Sequence, residues 1–226
     1  MNTLDYVFAP GSLRTLGLGA LLTLELAVGS LIMGVALGVI GALGRISRHR
    51  LPRWLATVYV EFIRGTPMLL QIMFLFFGVP MLYKVFTGQH MNVNPLAVGL
   101  IAMGINSGAY ATELIRSGIQ GVDKGQMEAA RSLGLSYGRA MRHVILPQAF
   151  KRIIPPLVSE FIVLIKDSSL VSTIGVLELM GGVRVLGSQY YNLLPFLLLA
   201  SAMYLAMTMS VSVLARRLER RLNASD

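Results

Sequence analysis

Residues 16–43 read LGLGALLTLELAVGSLIMGVALGVIGAL, twenty-eight residues with one ionisable group, Glu25. At about 1.5 Å per residue a helix of that length covers roughly 42 Å, against the roughly 30 Å of a bilayer's hydrocarbon core. Gly29, Ser30, Gly34, Gly38 and Gly41 recur at close spacing within it. Small residues so placed suit close packing against another helix more than contact with lipid. The run therefore reads as a membrane span that also packs inside a bundle.

Working outward, four more apolar runs lie between charge clusters and turn residues: Leu55 to Leu82, Leu96 to Ile115, Ile153 to Val176 and Leu193 to Leu214. The expectation is an all-α membrane protein with five transmembrane helices, forming one domain over residues 1–226. Two proline sites mark irregularities. Thr66-Pro67 lies inside the second run, and Pro155-Pro156 opens the fourth, where proline either kinks a helix or occupies its first turn.

Composition agrees. The 226 residues are 54% hydrophobic and only 14% charged, with a mean hydropathy of +0.66, far from ordinary soluble composition. A net charge of +9 suits nucleic acid in a soluble chain, but in this one it is better explained by loop charges that set topology. No cysteine is present, which excludes disulfides, thiol catalysis and Cys-based metal sites. Met1 to Pro10 has no basic n-region and carries Asp5, so the chain is expected to insert through its own spans without a cleaved leader. His49, His90 and His143 are isolated, and no metal site is expected.

The basic residues are strongly asymmetric. Fifteen of twenty lie in the first connection (Arg45 to Arg53), the third (Arg116 to Arg152) and the C-terminal tail, while Arg14, Lys84 and Arg184 lie on the other side. Positive charge accumulates on the cytoplasmic face, so the N-terminus is expected outside and the C-terminus in the cytoplasm.

The third connection, residues 123–147, is too patterned for a passive loop. Gln126 to Leu133 reads as a short helix, Gly134 stands where a left-handed C-terminal cap is needed, and Ser136 can N-cap a second helix ending at Pro147. Ala129 and Ala130 keep one face narrow enough to enter a groove on another protein. Read from composition alone, the segment fits an amphipathic helix on lipid headgroups equally well.

The spacing of Glu128-Ala129-Ala130, Gly134 and Val144-Ile145-Leu146-Pro147 resembles the EAA loop of binding-protein-dependent ABC importer permeases, with Val144 where the pattern usually has Ile. Three further stretches resemble the polar amino acid branch of that family: Phe62 to Gln71; Asn106 to Glu113 leading into Ile115 to Gln120; and Lys166 to Leu170 followed by Ile174 to Glu178. The resemblance runs from about Leu16 to Arg221, and Leu-Met-Gly-Gly after Glu178 departs from it. It implies a permease subunit of the bacterial inner membrane that catalyses no reaction and holds no cofactor. ATP and Mg belong to ABC ATPase subunits, consistent with the lack of a phosphate-loop motif in this chain. The other implied partners are a second permease subunit, an extracytoplasmic amino-acid-binding protein and the lipid bilayer, with no nucleic acid. By this resemblance Glu128, Ala129, Ala130, Gly134, Leu146 and Pro147 form the ATPase-coupling element, moving the spans by rigid-body rearrangement.

Polar groups at membrane depth are the candidate substrate contacts, because unpaired ionisable groups there cost at least a few kcal/mol and normally face a cavity or partner. Glu25, and Asp167 beside Lys166, Ser168 and Ser169, are the leading ones. Their alternatives are a hydrogen bond to a neighbouring span and an Asp167–Lys166 pair. Thr66-Pro67 is expected to free backbone carbonyls, and Ser107 and Tyr110 share a helix face. Glu61 and Arg64 read as a mutual pair, and Glu113 with Arg116 as a structural pair or part of a gate. Two carboxylates in one cavity favour a cationic amino acid, unless Arg64 or Lys166 neutralises one of them. An ABC permease for another small solute, an ATP-independent secondary transporter and a membrane sensor are the competing readings. The secondary transporter calls for inverted repeats with broken helices, which the chain does not display, and a sensor has no need of polar groups in several spans.

Overall fold

A computed structural model describes residues 9–223, and all regular structure among them is helical. The leader expectation, which rests on Met1 to Pro10, falls almost wholly outside the described residues. We number the helices α1 (Pro10–Ile46), α2 (Arg50–Arg64), α3 (Met68–Thr87), α4 (Pro95–Gln120), α5 (Lys124–Ser132), α6 (Tyr137–Ile174, 3-10 over Ser168–Ile174), α7 (Leu179–Gln189) and α8 (Leu194–Asn223).

The bundle is built on α1 and α4. Gly29 packs on Leu100, Gly34 on Ser107, Gly38 on Ala111 and Gly41 on Thr112, so the two helices advance together and run parallel. The approach depends on glycine: a Cβ at Gly38 would stand 2.5 Å from that of Ala111, and one at Gly41 would stand 2.1 Å from Thr112 Oγ1. Because α1 and α4 run the same way, α2 and α3 carry the chain back between them. Asn94 starts α4 by accepting from the N–H groups of Leu96 and Ala97, two donors that the first helical turn leaves unpaired.

The expected second span, Leu55 to Leu82, is two helices. The Gly65 N–H closes α2 on Glu61 O, Pro67 has no N–H to donate, and the residue before a proline is disfavoured in helical conformation. Thr66-Pro67 is thus a break between helices, lying beside Ile105 and Asn106 near the middle of α4. Only α3 of the two is long and apolar enough to cross a membrane by itself.

One further expectation about proline is overturned and another is narrowed. Pro147 does not end a helix, and of the two places open to Pro155-Pro156, a kink or a first turn, the first turn is excluded; all three lie within α6. Just before Pro147, residues Met141–Ile145 form a π turn in which the Leu146 N–H reaches back to Met141 O. The same device precedes Pro80 in α3, where Phe74–Gly78 form a π turn and Val79 N–H reaches Phe74 O. A wider turn shifts the carbonyl that the proline ring would otherwise strike, so the helix bends instead of stopping.

Among the described residues four helices are long and apolar enough to span a membrane: α1 from Gly11, α3, α4, and α8 as far as Arg217. A fifth span forms if α6 and α7, bent by 48° at their junction, count as one. Three apolar clusters stack along the bundle. One, at the basic end, joins Ala42, Ile115 and Ile153; the middle one joins Ile72, Met103 and Ile165; the third joins Leu16, Leu179 and Phe196.

Candidate functional site

At the basic end the chain projects an elbow. Asp123 Oδ1 accepts from Gly125 N at 2.8 Å and starts α5, two residues earlier than the sequence suggests. α5 closes with the Gly134 N–H on Arg131 O (3.0 Å) and the Leu135 N–H on Ala130 O (3.2 Å). This pair of bonds requires a left-handed residue at Gly134, whose φ is +85°. Ser136 is extended before α6, but its side chain caps nothing. Gln148 Nε2 donates to Gln126 Oε1 at 3.0 Å and holds α5 against α6. Ala130 is buried inside the elbow and Leu146 is half-buried. Glu128, Ala129, Gly134 and Pro147 face outward. Leu133 is 85% exposed and Tyr137 57% exposed, an apolar tip with no cover in this chain.

Just above the elbow, Glu113 joins three helices. It pairs with Arg116 at 2.6 Å and with Arg45 of α1 at 2.9 Å, while Arg45 also donates to Thr57 Oγ1 of α2 at 2.8 Å. The expected Glu113–Arg116 pair is present, with Arg45 as a third member that sequence spacing could not supply.

The expected Glu61–Arg64 pair does not form. Arg64 instead lies over the Tyr110 ring, 5.1 Å from its centroid, a cation–π contact. At the α2–α3 break the two protons of Gln71 Nε2 are shared among Ile63 O (2.8 Å), Thr66 O (3.1 Å) and Thr66 Oγ1 (2.8 Å), and Gln71 Oε1 accepts from Asn106 Nδ2 (3.0 Å). The carbonyls freed by Pro67 are therefore held by a side chain of the same chain. Gln71 and Asn106 were not singled out as contacts, although both lie in the stretches quoted for the family resemblance.

Ser107 and Tyr110 part company: Ser107 is buried against Gly34, while Tyr110 is 38% exposed. Glu25 stands on an exposed stripe of α1 with Leu21, Val28 and Ile32, and Asp167 is half-buried on α6. Neither acid takes part in an ion pair among the described residues. The acid that shares a face with Asp167 is Glu160, seven residues earlier. Its place within the fourth apolar run was the signal that could have found it. Ser168 is buried, its hydroxyl donating to Ile165 O at 2.8 Å.

A second elbow lies between α6 and α7. Gly175, at φ +90°, closes α6 with its N–H on Ser172 O, and the Val176 N–H reaches Val171 O. Glu178 follows and is wholly buried. Its carboxylate accepts from Gly181 N (2.8 Å), Thr23 Oγ1 of α1 (3.2 Å) and Tyr204 OH of α8 (2.8 Å). Four hydrogen bonds among groups of three helices meet here, since Leu179 N–H also donates to Thr23 Oγ1 at 3.3 Å. Sequence reasoning missed this residue because its partners lie 155 and 26 positions away.

Residues 34–224 match the family described as the binding-protein-dependent transport system inner membrane component. The chain belongs to that family. As a permease it is a non-catalytic membrane component, and ATP hydrolysis resides in a separate subunit. It is 38% identical over 208 residues, 92% of each chain, to the arginine transport system permease protein ArtQ of Bacillus subtilis. It is also 39% identical to a probable glutamine ABC transporter permease protein, GlnM, of the same organism, over 87% of this permease and 86% of that one. Among solved structures, the permease superposes with a TM-score of 0.89 on a chain from the crystal structure of an amino acid ABC transporter with histidines, at 38% identity, covering 98% of this chain and 99% of that one. An inward-facing MetNI methionine ABC transporter chain, at 17% identity and a TM-score of 0.73, shares the fold.

Proposed function

We propose that this permease forms the translocation pathway of an ATP-driven importer of amino acids, fed by an extracytoplasmic binding protein and paired with a second permease subunit. The observation that carries the reading is the Gly134 elbow. A rigid pair of helices projects from the basic end with Leu133 and Tyr137 uncovered, the form required of a coupling element that docks in a groove of an ATPase. Glu128, Ala129, Ala130, Gly134, Leu146 and Pro147 build it, and the Arg45–Glu113–Arg116 network ties its base to α1, α2 and α4. Closure of the ATPase pair then moves these helices as a body, opening the pathway to alternate sides. The excess of positive charge at that end supports a cytoplasmic placement, with the N-terminus outside.

Substrate contacts fall to the groups at membrane depth that the bundle leaves accessible: Asp167, Tyr110 and Thr66, with Glu25 contributing from α1, and Ser107 and Ser168 supporting from behind. Glu160 joins Asp167 on one face of α6, and two carboxylates in low dielectric favour a cationic amino acid. The arginine relative points the same way, and the glutamine relative keeps neutral polar amino acids as the second reading.

The test is uptake into vesicles by the permease reconstituted with its ATPase and binding protein, with amino acids as competitors. Arginine or lysine should compete best, and Asp167→Asn should weaken them more than glutamine. If glutamine or glutamate dominates, the cationic preference is wrong; if no amino acid is taken up, the transport reading itself falls. Orientation is checked by impermeant labelling, since the chain has no cysteine of its own. His90→Cys should react from outside and Tyr137→Cys should not.

A further inference from the structure

Between α1 and α2 the bundle leaves a groove of about 570 Å³. Leu37, Ile40 and Gly44 of α1 and Pro52, Leu55 and Tyr59 of α2 line it, each set at the i, i+3, i+7 spacing of one helix face. Tyr59 is the lining residue with a polar side-chain group, and its hydroxyl proton is spent on Ile105 O of α4 at 2.6 Å. The walls are therefore apolar. The two helices approach closely at the basic end, where a Cβ at Gly44 would stand 3.0 Å from that of Ala56 and 3.1 Å from Pro52 O. Toward the membrane the groove is uncovered, with Ile40 68% and Leu55 53% exposed. From Gly44 to Leu37 is roughly 10 Å of helix, within the roughly 15 Å of hydrocarbon in one leaflet.

At its basic end the groove meets the α1–α2 connection, which carries Arg48, Arg50 and Arg53, all exposed. Arg53 Nη2 donates to Arg48 O at 3.2 Å, which draws its guanidinium over the connection and leaves its other N–H groups free to bind. Arg45, by contrast, is committed to Glu113 and Thr57. Among the described residues Arg48, Arg50 and Arg53 make no ion pair, since both pairs present are to Glu113. Trp54, the one tryptophan of the chain, is 61% exposed and lies four residues from Arg50 on the same face of α2. Tryptophan collects at the level of lipid head groups, so the arginines stand at the membrane surface and the groove runs inward from them.

We propose that this groove is a binding site for an anionic phospholipid, its acyl chain lying between α1 and α2 and its phosphate at Arg48, Arg50 and Arg53. A phospholipid joins an apolar chain to an anion, and here an apolar groove of leaflet depth runs up to a cationic connection. The head group is one without a cation, such as phosphatidylglycerol. No acidic residue lies between Glu25 and Glu61 in the sequence to meet an ammonium, and Glu113 is already held by Arg45 and Arg116. A second copy of this chain does not suit the groove. Related by a two-fold axis normal to the membrane, it would lay its own Arg48, Arg50 and Arg53 against these, like charge on like. The site rests on the membrane placement of the chain and is independent of the solute carried.

The experiment is native mass spectrometry of the permease–ATPase complex, delipidated in detergent and titrated with phosphatidylglycerol or with phosphatidylethanolamine of the same acyl chains. Wild type should bind phosphatidylglycerol at least about 10-fold more tightly, a factor that one charge-assisted contact supplies. Arg48→Gln, Arg50→Gln and Arg53→Gln should each weaken phosphatidylglycerol about 5-fold, and the triple variant should bring the two lipids within about 2-fold of each other. Ile40→Trp, which fills the groove and keeps the arginines, should weaken both lipids alike. Inorganic phosphate in excess should displace neither. The proposal is overturned if wild type does not discriminate, if the triple variant keeps the preference, or if Ile40→Trp binds both lipids as wild type does. It is equally overturned if inorganic phosphate displaces phosphatidylglycerol, since the site is then one for a free anion. Release of a subunit by Ile40→Trp on size exclusion overturns it too, since the groove is then covered by a neighbouring protein.

Discussion

Two elbows turn this chain, at Gly134 and at Gly175, and locally they are near copies. In each a glycine with left-handed φ donates its N–H to the carbonyl three residues back, and the next N–H reaches the carbonyl five back. At both glycines open space lies where a Cβ would stand. What differs is the surroundings. The first elbow is closed by its own backbone and stands in the open, with Leu133 and Tyr137 uncovered. The second is enclosed, its Glu178 bonded to α1 and α8. A bend that its own backbone completes remains free for a partner, whereas one completed by distant side chains passes its position to the helices that supply them.

The sharpest way to break the comparison is Glu178→Ala. It strands the Thr23 and Tyr204 hydroxyls and the Gly181 N–H in a buried site, at a cost of roughly 3 kcal/mol or more. Thermal unfolding in detergent should shift to markedly lower temperature, with Glu178→Gln intermediate because its amide still offers one acceptor. If Glu178→Ala unfolds like wild type, the second elbow is not a fastener.

Next comes a matched pair, Gly175→Val and Gly134→Val. Both force a β-branched residue into a left-handed backbone, costing about 1–3 kcal/mol. At Gly175 that cost should appear in global unfolding. At Gly134 the exposed elbow can distort locally, so the unfolding temperature should hold while permease-stimulated ATPase activity falls. Equal losses of stability in the two variants contradict the distinction drawn between the elbows.

The smallest effect on stability is expected from Leu133→Ser, within about 0.5 kcal/mol because the side chain touches little. Substrate-stimulated ATP hydrolysis should nonetheless drop, as it should for Glu128→Lys. Normal coupling in both variants assigns the exposed tip no part in docking.

The two elbows also differ in how readable they were. Helix, Gly134, helix was legible because the backbone bonds that close it reach back only three and five residues, and the apolar runs were legible because bilayer thickness sets their length. The same local logic failed at the prolines. Pro147 was read as a helix end and Pro155-Pro156 as a kink or a first turn, yet α6 runs on through all three, with a π turn easing the strain at Pro147. At Thr66-Pro67 the reverse occurred, and an expected kink is a break whose freed carbonyls Gln71 occupies.

By itself the sequence determined what depends on composition and short spacing: a helical membrane chain, its charged end, the left-handed glycine at 134, and the Glu113–Arg116 pair one helical turn apart. Tertiary structure alone decided which polar groups meet. It brought Arg45 to Glu113, Arg64 to Tyr110 instead of Glu61, and Thr23 and Tyr204 to Glu178, and it turned Glu25 and Asp167 to different surroundings. The physical reason is that a buried polar group must find a partner, and in a bundle the nearest partner lies across a helix interface, at a sequence distance that no local pattern records.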